Sequence, residues 1–134
     1  MSRENVEIVR SIFAAWRRGD FRSVEWAHPQ ITFVVADGPA AGTWSGVAAM
    51  AEAWREALSA FEHLRTEADE YRELDDERVF VLMHLSGRGR TSGLEVGNVQ
   101  MNGANLFHLR DGKVTRLVLY WDRQHAHPDV GLSE

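Results

Sequence analysis

The stretch that decides the fold runs from residue 77 to 122 and contains ERVFVLMHLSGRGR (77–90), GNVQMNGANLFHL (97–109) and KVTRLVLYWD (113–122). It predicts two long strands and a third strand that returns beside them. The first strand is apolar in both alternating sets, which are Val79, Val81, Met83, Leu85 and Phe80, Leu82. Since successive side chains of a strand point to opposite faces, both faces of this sheet are expected to be covered.

The segment RDGKV, from Arg110 to Val114, places Asp-Gly between two apolar strands. Asp and Gly tolerate the positive φ angle that a tight turn requires, so this pair is one of the stronger short-range hairpin signals. A hairpin is therefore predicted at this point.

Length and composition limit the class of protein. The 134 residues predict one domain over 1–134, and the 44% hydrophobic content is typical of a soluble globular protein. The chain has no cysteine, which excludes disulfides and a thiolate nucleophile. A net charge of −5 without a concentrated basic stripe argues against a nucleic-acid partner.

The N-terminal residues MSRENVEIVR are charged where a signal peptide would be apolar. No apolar run approaches the roughly 20 residues that are needed to span a bilayer. No membrane partner is therefore expected, and the predicted location is cytoplasmic.

The first 36 residues predict two helices and a strand. A first helix ending at Gly19 has apolar residues at i, i+3, i+4 and i+7, namely Val9, Ile12, Phe13 and Trp16. A short second helix over Phe21–Trp26 is predicted to end before a turn at His28-Pro29, because proline disfavours the helical conformation in the residue before it. Ile31–Ala36 is predicted to be a strand.

Asp37–Pro39 and the small residues after it are predicted to be a loop, from which GTWSG (42–46) leads into a third helix. That helix has an apolar face made of Met50, Ala53, Trp54, Ala57, Leu58 and Phe61. From His63 to Leu74 apolar residues alternate irregularly with charged ones. A long strand is predicted there, with a helix as the alternative, and Asp75-Asp76 is predicted to be the turn that follows.

The order of these elements resembles a known superfamily. GD (19–20) closes the first helix, G-x-x-A-M (46–50) opens the third, and the DGKV hairpin ends in YWDR (120–123). GRGRTSGLEV (87–96), NLFHLRDGKVTRLVLYWDR (105–123) and DVGL (129–132) are similar to a bacterial SnoaL-like subgroup. With these motifs the chain resembles the nuclear transport factor 2-like superfamily, also called the ketosteroid isomerase-like or SnoaL-like fold.

The resemblance implies an α+β fold, in which N-terminal helices cover the concave face of a cone-shaped, curved antiparallel sheet around an apolar pocket. It also implies a homodimer through the convex sheet face. Leu106, His108, Val118 and Tyr120 are expected to leave that face too apolar for a monomer's surface.

The isomerases of this superfamily have catalytic residues that this chain mostly lacks. The position of their base, near the end of the first strand, is matched by Val35, with Asp37 two residues further on. Their oxyanion-stabilising acid is matched by Asn105, and their helix 1 tyrosine by Ile12. Steroid isomerisation is therefore not expected, and the fold alone supports no particular reaction.

His84 and Asn105 are predicted to be a catalytic pair. If Phe107 and Leu109 face inward, strand alternation places Asn105 on the concave face, and the central strand is expected to add His84 there. A neutral imidazole can abstract a proton near pH 7, and an amide N–H can stabilise an enolate oxygen in a dry site. The alternative is that both are hydrogen-bonded polar residues of a ligand-free core.

Two carboxylates are further catalytic candidates. Asp37 could act as a base if its loop folds inward, although Asp-Gly-Pro is also ordinary turn chemistry, and the turn is favoured. Asp122 lies at a strand end, near where similar cyclases have a catalytic Asp, and the alternative is a salt bridge with Arg123. His125 and His127 lack a third ligand nearby in the sequence, so no metal is expected.

The predicted ligand is an apolar small molecule, bound without a cofactor. The residues expected to contact it are Trp16, Trp44, Trp54, Leu82, Met101, Phe107, Leu119 and Trp121. The leading hypothesis is small-molecule binding, with cofactor-free proton transfer on an apolar carbonyl compound if the protein is an isomerase, cyclase or dehydratase. The alternatives are a non-catalytic ligand carrier or sensor and a dimeric interaction module.

Overall fold

The computed structural model describes residues 2–18, 25–37, 41–58, 61–89 and 98–125. Its helices are α1 (Ser2–Arg17) and α2 (Val47–Leu58), and a short 3₁₀ turn follows at Arg123–His125. The strands are β1 (Ala27–Val35), β2 (Gly42–Ser45), β3 (Phe61–Glu73), β4 (Arg78–Gly89), β5 (Asn98–Arg110) and β6 (Lys113–Tyr120). Within these ranges no helix has the length and apolar character needed to cross a membrane.

Helix α1 forms where the apolar periodicity predicts it. Glu4 in the first turn and Arg17 in the last turn have the charges that complement the helix dipole. The four predicted core residues are at most 3% exposed, and they are Val9, Ile12, Phe13 and Trp16. The Asn5 side chain donates a hydrogen bond of 2.7 Å to the backbone carbonyl of Asp76. This bond fixes the start of α1 to the turn between β3 and β4.

The six strands form one sheet in the order β2-β1-β6-β5-β4-β3. Neighbouring strands are antiparallel except for β1 and β6, which are parallel. The α+β fold class is confirmed, with the correction that the sheet is mixed rather than purely antiparallel. The long strand predicted over 63–74 is also confirmed, as part of β3.

Strand β1 begins four residues earlier than predicted, so His28 and Pro29 belong to a strand rather than to a turn. The pairing of β1 with β6 is interrupted between Ala27 and Thr32. Proline lacks the N–H group that a sheet ladder requires, and it is tolerated at such irregular positions. The interruption therefore explains how Pro29 fits into β1.

The segment at residues 42–46, which was predicted to lead directly into the third helix, instead contains a strand, β2 (Gly42–Ser45). Trp44 pairs with Phe33 of β1, and the centres of the two rings are 5.9 Å apart. Phe61, predicted on α2, instead begins β3. The helix predicted over Phe21–Trp26 falls mainly on residues 21–24, which are outside the described ranges.

The Asp-Gly hairpin between β5 and β6 is confirmed. Arg110 pairs with Lys113, which leaves a two-residue turn. The φ angles of Asp111 and Gly112 are +53° and +79°. Positive values at both central residues are what this kind of hairpin turn requires.

Both faces of the sheet are covered, as the two apolar sets of β4 predict. We call the side that packs against α1 and α2 the helix face. Its buried sheet residues include Phe33, Val79, Val81, Met83, Leu85, Phe107, Leu117 and Leu119. The opposite side, the far face, has a second buried cluster of Phe80, Leu82, Ala104, Leu106, Val118 and Tyr120. No member of this second cluster is more than 8% exposed within the single chain.

Candidate functional site

Asn105 lies in the middle of β5, on the helix face together with Phe107, as predicted. Its cross-strand neighbours are Val81 of β4 and Leu119 of β6. Asn105 has no exposed surface, and neither its Oδ1 nor its Nδ2 atom has a hydrogen-bond partner. Since the large majority of buried side-chain polar atoms are paired in protein structures, this amide is an exception that requires an explanation.

Aromatic rings from both helices and two strands surround this part of the helix face. The ring centre of Trp16 is 6.3 Å from that of Phe107 and 5.2 Å from that of Trp54. The ring of Phe33 meets Trp54 edge to face at 5.5 Å. The helix face therefore combines large aromatic surfaces with one unpaired amide.

The structure brings most of the predicted ligand-contacting residues together. The helix-face cluster contains or packs against Trp16, Trp44, Trp54, Phe107, Leu119 and Trp121. The Met101 side chain is outside what the structure describes. Leu82 does not join them, because it lies on the far face.

His84 is the main error in the predicted site. It alternates with Val81 and Met83 of the helix face and lies on the same side of β4 as Leu82. It pairs with Asn102, whereas Asn105 pairs with Val81. His84 and Asn105 are therefore on opposite faces of the sheet and do not form the predicted pair.

The imidazole of His84 lies instead between two carboxylates of β3. Its Nδ1 atom is 2.7 Å from Asp69 Oδ1, and its Nε2 atom is 3.3 Å from Glu67 Oε2. The guanidinium of Arg123 donates from Nη2 to Asp69 Oδ2 at 3.0 Å and to the backbone carbonyl of Met83 at 2.9 Å. These contacts join β3, β4 and the 123–125 turn.

Asp69 is the central member of this network. Burial alone would raise the pKa of its carboxyl group, but the hydrogen bonds from Arg123 and His84 lower that pKa overall. An ionised carboxylate only accepts hydrogen bonds, so the Nδ1 atom of His84 is the donor to Asp69. The imidazole therefore directs its Nδ1–H group to Asp69, on the opposite face of the sheet from Asn105.

Glu67 and Asp69, the partners of His84, were not predicted from the sequence. A signal for them was present in the predicted turn at Asp75-Asp76. Counting residues outward from that turn brings Glu67 to a position opposite His84, and the structure pairs these two residues. The β3–β4 register shifts between Ala68 and Glu70, and this irregularity at Asp69 has no signature in the sequence.

Asp37 and Asp122 both accept hydrogen bonds from the backbone. The Asp37 carboxylate accepts from the N–H groups of Trp121, at 2.7 Å, and Asp122, at 3.1 Å. The Asp122 carboxylate accepts from the N–H group of Gln124 at 2.9 Å. Both carboxylates therefore hold the chain that leaves β6, and a catalytic role for either stays a prediction.

Other possible sites lie away from these residues. Two open clefts of about 470 and 520 Å³ flank the β5–β6 hairpin, and none of the predicted site residues lines either of them. In the described part of the chain, no three His, Asp or Glu side chains are grouped as metal ligands.

Comparison with known proteins agrees with this architecture. The profile of the SnoaL-like domain matches residues 9–117. No curated protein matches the sequence.

Solved structures resemble the chain over almost its whole length. TerC, co-crystallised with polyporic acid, superposes with a TM-score of 0.75 at 21% identity, covering 96% of this chain and 98% of its own. A nuclear transport factor 2-like protein from Burkholderia xenovorans LB400 gives 0.67 at 28% identity, with coverages of 91% and 92%.

A protein with a ketosteroid isomerase-like fold from Catenulispora acidiphila DSM 44928, in complex with trimethylamine, gives a TM-score of 0.69 at 15% identity. The match covers 95% of this chain and 94% of that one. At such low identity, the likeness to this protein and to TerC shows the fold alone.

Proposed function

Because the chain belongs to the SnoaL-like domain family, we propose that it binds a small, largely apolar molecule on the helix face, with the Asn105 amide as its polar contact. The observation that carries this proposal is the fully buried and unpaired side chain of Asn105. Binding sites for small molecules are typically apolar and aromatic, with a few polar groups that orient the ligand. The rings of Trp16, Trp54 and Phe107 supply the apolar part.

The energetics favour a functional reason for this residue. A buried polar group without a hydrogen-bond partner lowers stability by about 1–3 kcal/mol. Leucine has the same branching and the same number of side-chain heavy atoms as asparagine, and it would avoid this penalty among Val81, Leu119 and Phe107. A ligand that bonds the amide would offset the penalty, which gives the asparagine a role in the bound state.

Two of the similar structures contain small molecules, which also supports ligand binding. TerC was co-crystallised with polyporic acid, and the Catenulispora acidiphila protein is in complex with trimethylamine. Their ligands differ in kind, so these proteins favour a ligand for this chain without indicating which one.

Binding is favoured over proton transfer by the positions of the candidate bases. His84 is on the far face, bonded to Asp69, and the carboxylates of Asp37 and Asp122 accept backbone N–H groups. A general base has to come within hydrogen-bond reach of the proton that it removes. In the described part of the chain, none of the predicted bases is opposite Asn105.

Asn105→Leu tests the proposal because it separates stability from binding. We expect this variant to raise the free energy of unfolding by about 1–3 kcal/mol, since it removes two unpaired buried groups. We also expect it to lose the melting-temperature shift that aromatic ketones of one to four rings produce in the wild type. Urea denaturation and thermal melts with and without each ketone measure the two effects.

Asn102→Leu is the matched control, since Asn102 is an exposed residue of the same strand with its side chain on the far face. It should change stability by no more than about 0.5 kcal/mol and leave the ketone-induced shifts intact. A less stable Asn105→Leu protein, with unchanged shifts, would mean that the amide only supports the fold, and it would sink the proposal.

A further inference from the structure

The Asn105 amide has two kinds of unpaired atom, and a ligand has to satisfy both. Its Oδ1 atom accepts hydrogen bonds and its Nδ2 atom donates them, and neither has a partner. A simple ketone would accept from Nδ2 and leave Oδ1 buried without a donor. The buried oxygen therefore restricts the ligand as strongly as the buried nitrogen does.

The residues next to Asn105 on β4, β5 and β6 supply no hydrogen-bond donor for its Oδ1 atom. Val81 and Leu119 are the cross-strand neighbours, and Phe107 follows Asn105 on the same side of β5. None of these side chains has a polar atom. Gly103, two residues before Asn105, has no side chain, and the carbonyl oxygens of Tyr120 and Trp121 already fill the space beside it. Carbonyl oxygens accept hydrogen bonds and cannot satisfy Oδ1.

We infer that the ligand is a neutral, planar ring compound with a hydrogen-bond acceptor and a donor side by side on one edge, as in a lactam. A cyclic amide matches the asparagine amide atom for atom, with its C=O facing Nδ2 and its N–H facing Oδ1. The planar ring suits the aromatic residues of the helix face, which include Phe107 on the same strand as Asn105. This inference rests on the proposed function and specifies the ligand class for the same site.

Carboxylate ligands are excluded by the same geometry. A carboxylate has no donor for Oδ1, and its charge would be buried. The buried polar residues in the described ranges are Asn5, Thr66 and Asn105, so no buried cation is there to pair with the charge. A ketone or a lactone can accept a hydrogen bond from Nδ2, but it has no donor for Oδ1.

The experiment compares three bicyclic probes of nearly the same outline by isothermal titration calorimetry. 2-Quinolone has a carbonyl and an N–H on one edge, coumarin replaces that N–H with oxygen, and naphthalene has neither group. We expect the wild type to bind 2-quinolone about ten- to a hundredfold more tightly than coumarin, the factor that one unpaired buried group produces. The preference should disappear in Asn105→Leu and persist in Asn102→Leu.

Two other outcomes would overturn the inference, and they differ in what they mean for the proposed function. Equal binding of 2-quinolone and coumarin, lost in Asn105→Leu, would reject the lactam-type edge but retain the ligand site. If none of the three probes and none of the aromatic ketones binds, and Asn105→Leu is no more stable than the wild type, then both the lactam-type ligand and the proposed binding site are rejected. A 2-quinolone preference that survives in Asn105→Leu would place the recognition elsewhere and also reject the inference.

Discussion

At the scale of single residues, His108 shows how neighbouring charges control one ionisable group. It is half-buried on the far face, and its cross-strand neighbours are Arg78 of β4 and Arg116 of β6. Burial lowers the pKa of its imidazole, and the positive charges of Arg116 and Arg78 lower it further. A protonated His108 would be the third cation in a row across three strands.

This arrangement predicts a loss of stability in mild acid. The ordinary pKa of histidine is 6.5, and the folded chain lowers it, so the unfolded chain takes up the proton first as the pH falls. The contribution of His108 is therefore fully present above pH 6.5 and declines as the pH falls through the lowered pKa. Thermal melts from pH 7.5 to pH 5 should show a decrease of a few degrees, at roughly 4 °C per kcal/mol.

His108→Gln isolates this effect from the other histidines, because glutamine is polar but does not titrate in this range. We expect the variant to have a flatter melting profile over the same interval. If the wild type and the variant decline in parallel, then His108 contributes nothing to the pH dependence, and its imidazole is not shielded from water in the folded chain.

At the scale of elements, the chain that leaves β6 is held against the sheet at three points. Asp37 accepts from its first two N–H groups, and Arg123 reaches Asp69 and the carbonyl of Met83. At Tyr120 and Trp121 the chain also passes close to Gly103. A Cβ atom on Gly103 would lie only 2.6 Å from the carbonyl oxygen of Tyr120. The chain after β6 can therefore lie this close to β5 only because residue 103 has no side chain.

Gly103→Ala should consequently destabilise the protein. Backbone atoms have to move to admit the methyl group, and overpacking of this kind typically costs about 1–3 kcal/mol. The midpoint of urea denaturation should fall, while Asn102→Ala, an exposed neighbour, should change it little. Equal midpoints for Gly103→Ala and the wild type would show that the chain after β6 moves aside without loss.

At the scale of the whole molecule, the predicted homodimer needs a different argument. The prediction assumed that apolar residues of the far face are exposed, but Leu106, Val118 and Tyr120 are at most 5% exposed within one chain. That premise is wrong, whereas homodimerisation itself stays a prediction. A substitution among these buried residues would therefore not test the dimer alone. Val118→Lys would put a charge into the core of each chain and lower its stability.

Arg116→Glu is a better test of the dimer, because Arg116 is exposed on the far face beside His108. Sedimentation equilibrium at micromolar concentration should give twice the chain mass of 15.2 kDa for the wild type. The variant should give a smaller weight-average mass if the far face is the contact. A wild-type protein that sediments at the mass of one chain would refute the dimer.

The parts of the fold that the sequence predicted are those fixed by local patterns. The spacing of Val9, Ile12, Phe13 and Trp16 specifies one helix face, and Asp111-Gly112 specifies a turn, whatever the rest of the chain does. The orientation of β4 was not predictable in this way. Apolar residues occupy both of its alternating sets, so only its register with β5 decides which set faces the helices.

The same distinction applies to the candidate site, where only the residue with a local pattern around it was placed correctly. Asn105 was assigned to its correct face, because Phe107 and Leu109 on the same side of β5 are apolar and the alternate residue His108 is not. His84 was assigned to the wrong face, since nothing within β4 orients it. Its partner Asp69 depends on a strand irregularity and on Arg123, which is 54 residues away in sequence.

The parallel pairing of β1 with β6 also has a consequence for how the chain folds during synthesis. β1 and β2 are made early, yet they join the sheet only through β6, the last of the described strands. A ribosome-bound chain that ends before β6 can pair β1 with β2 but cannot join this pair to the rest of the sheet, and contacts between distant segments form slowly. Until β6 emerges, one edge of β1 is free to pair with another nascent chain. The interval before β6 is released is therefore when this protein is most exposed to misassembly.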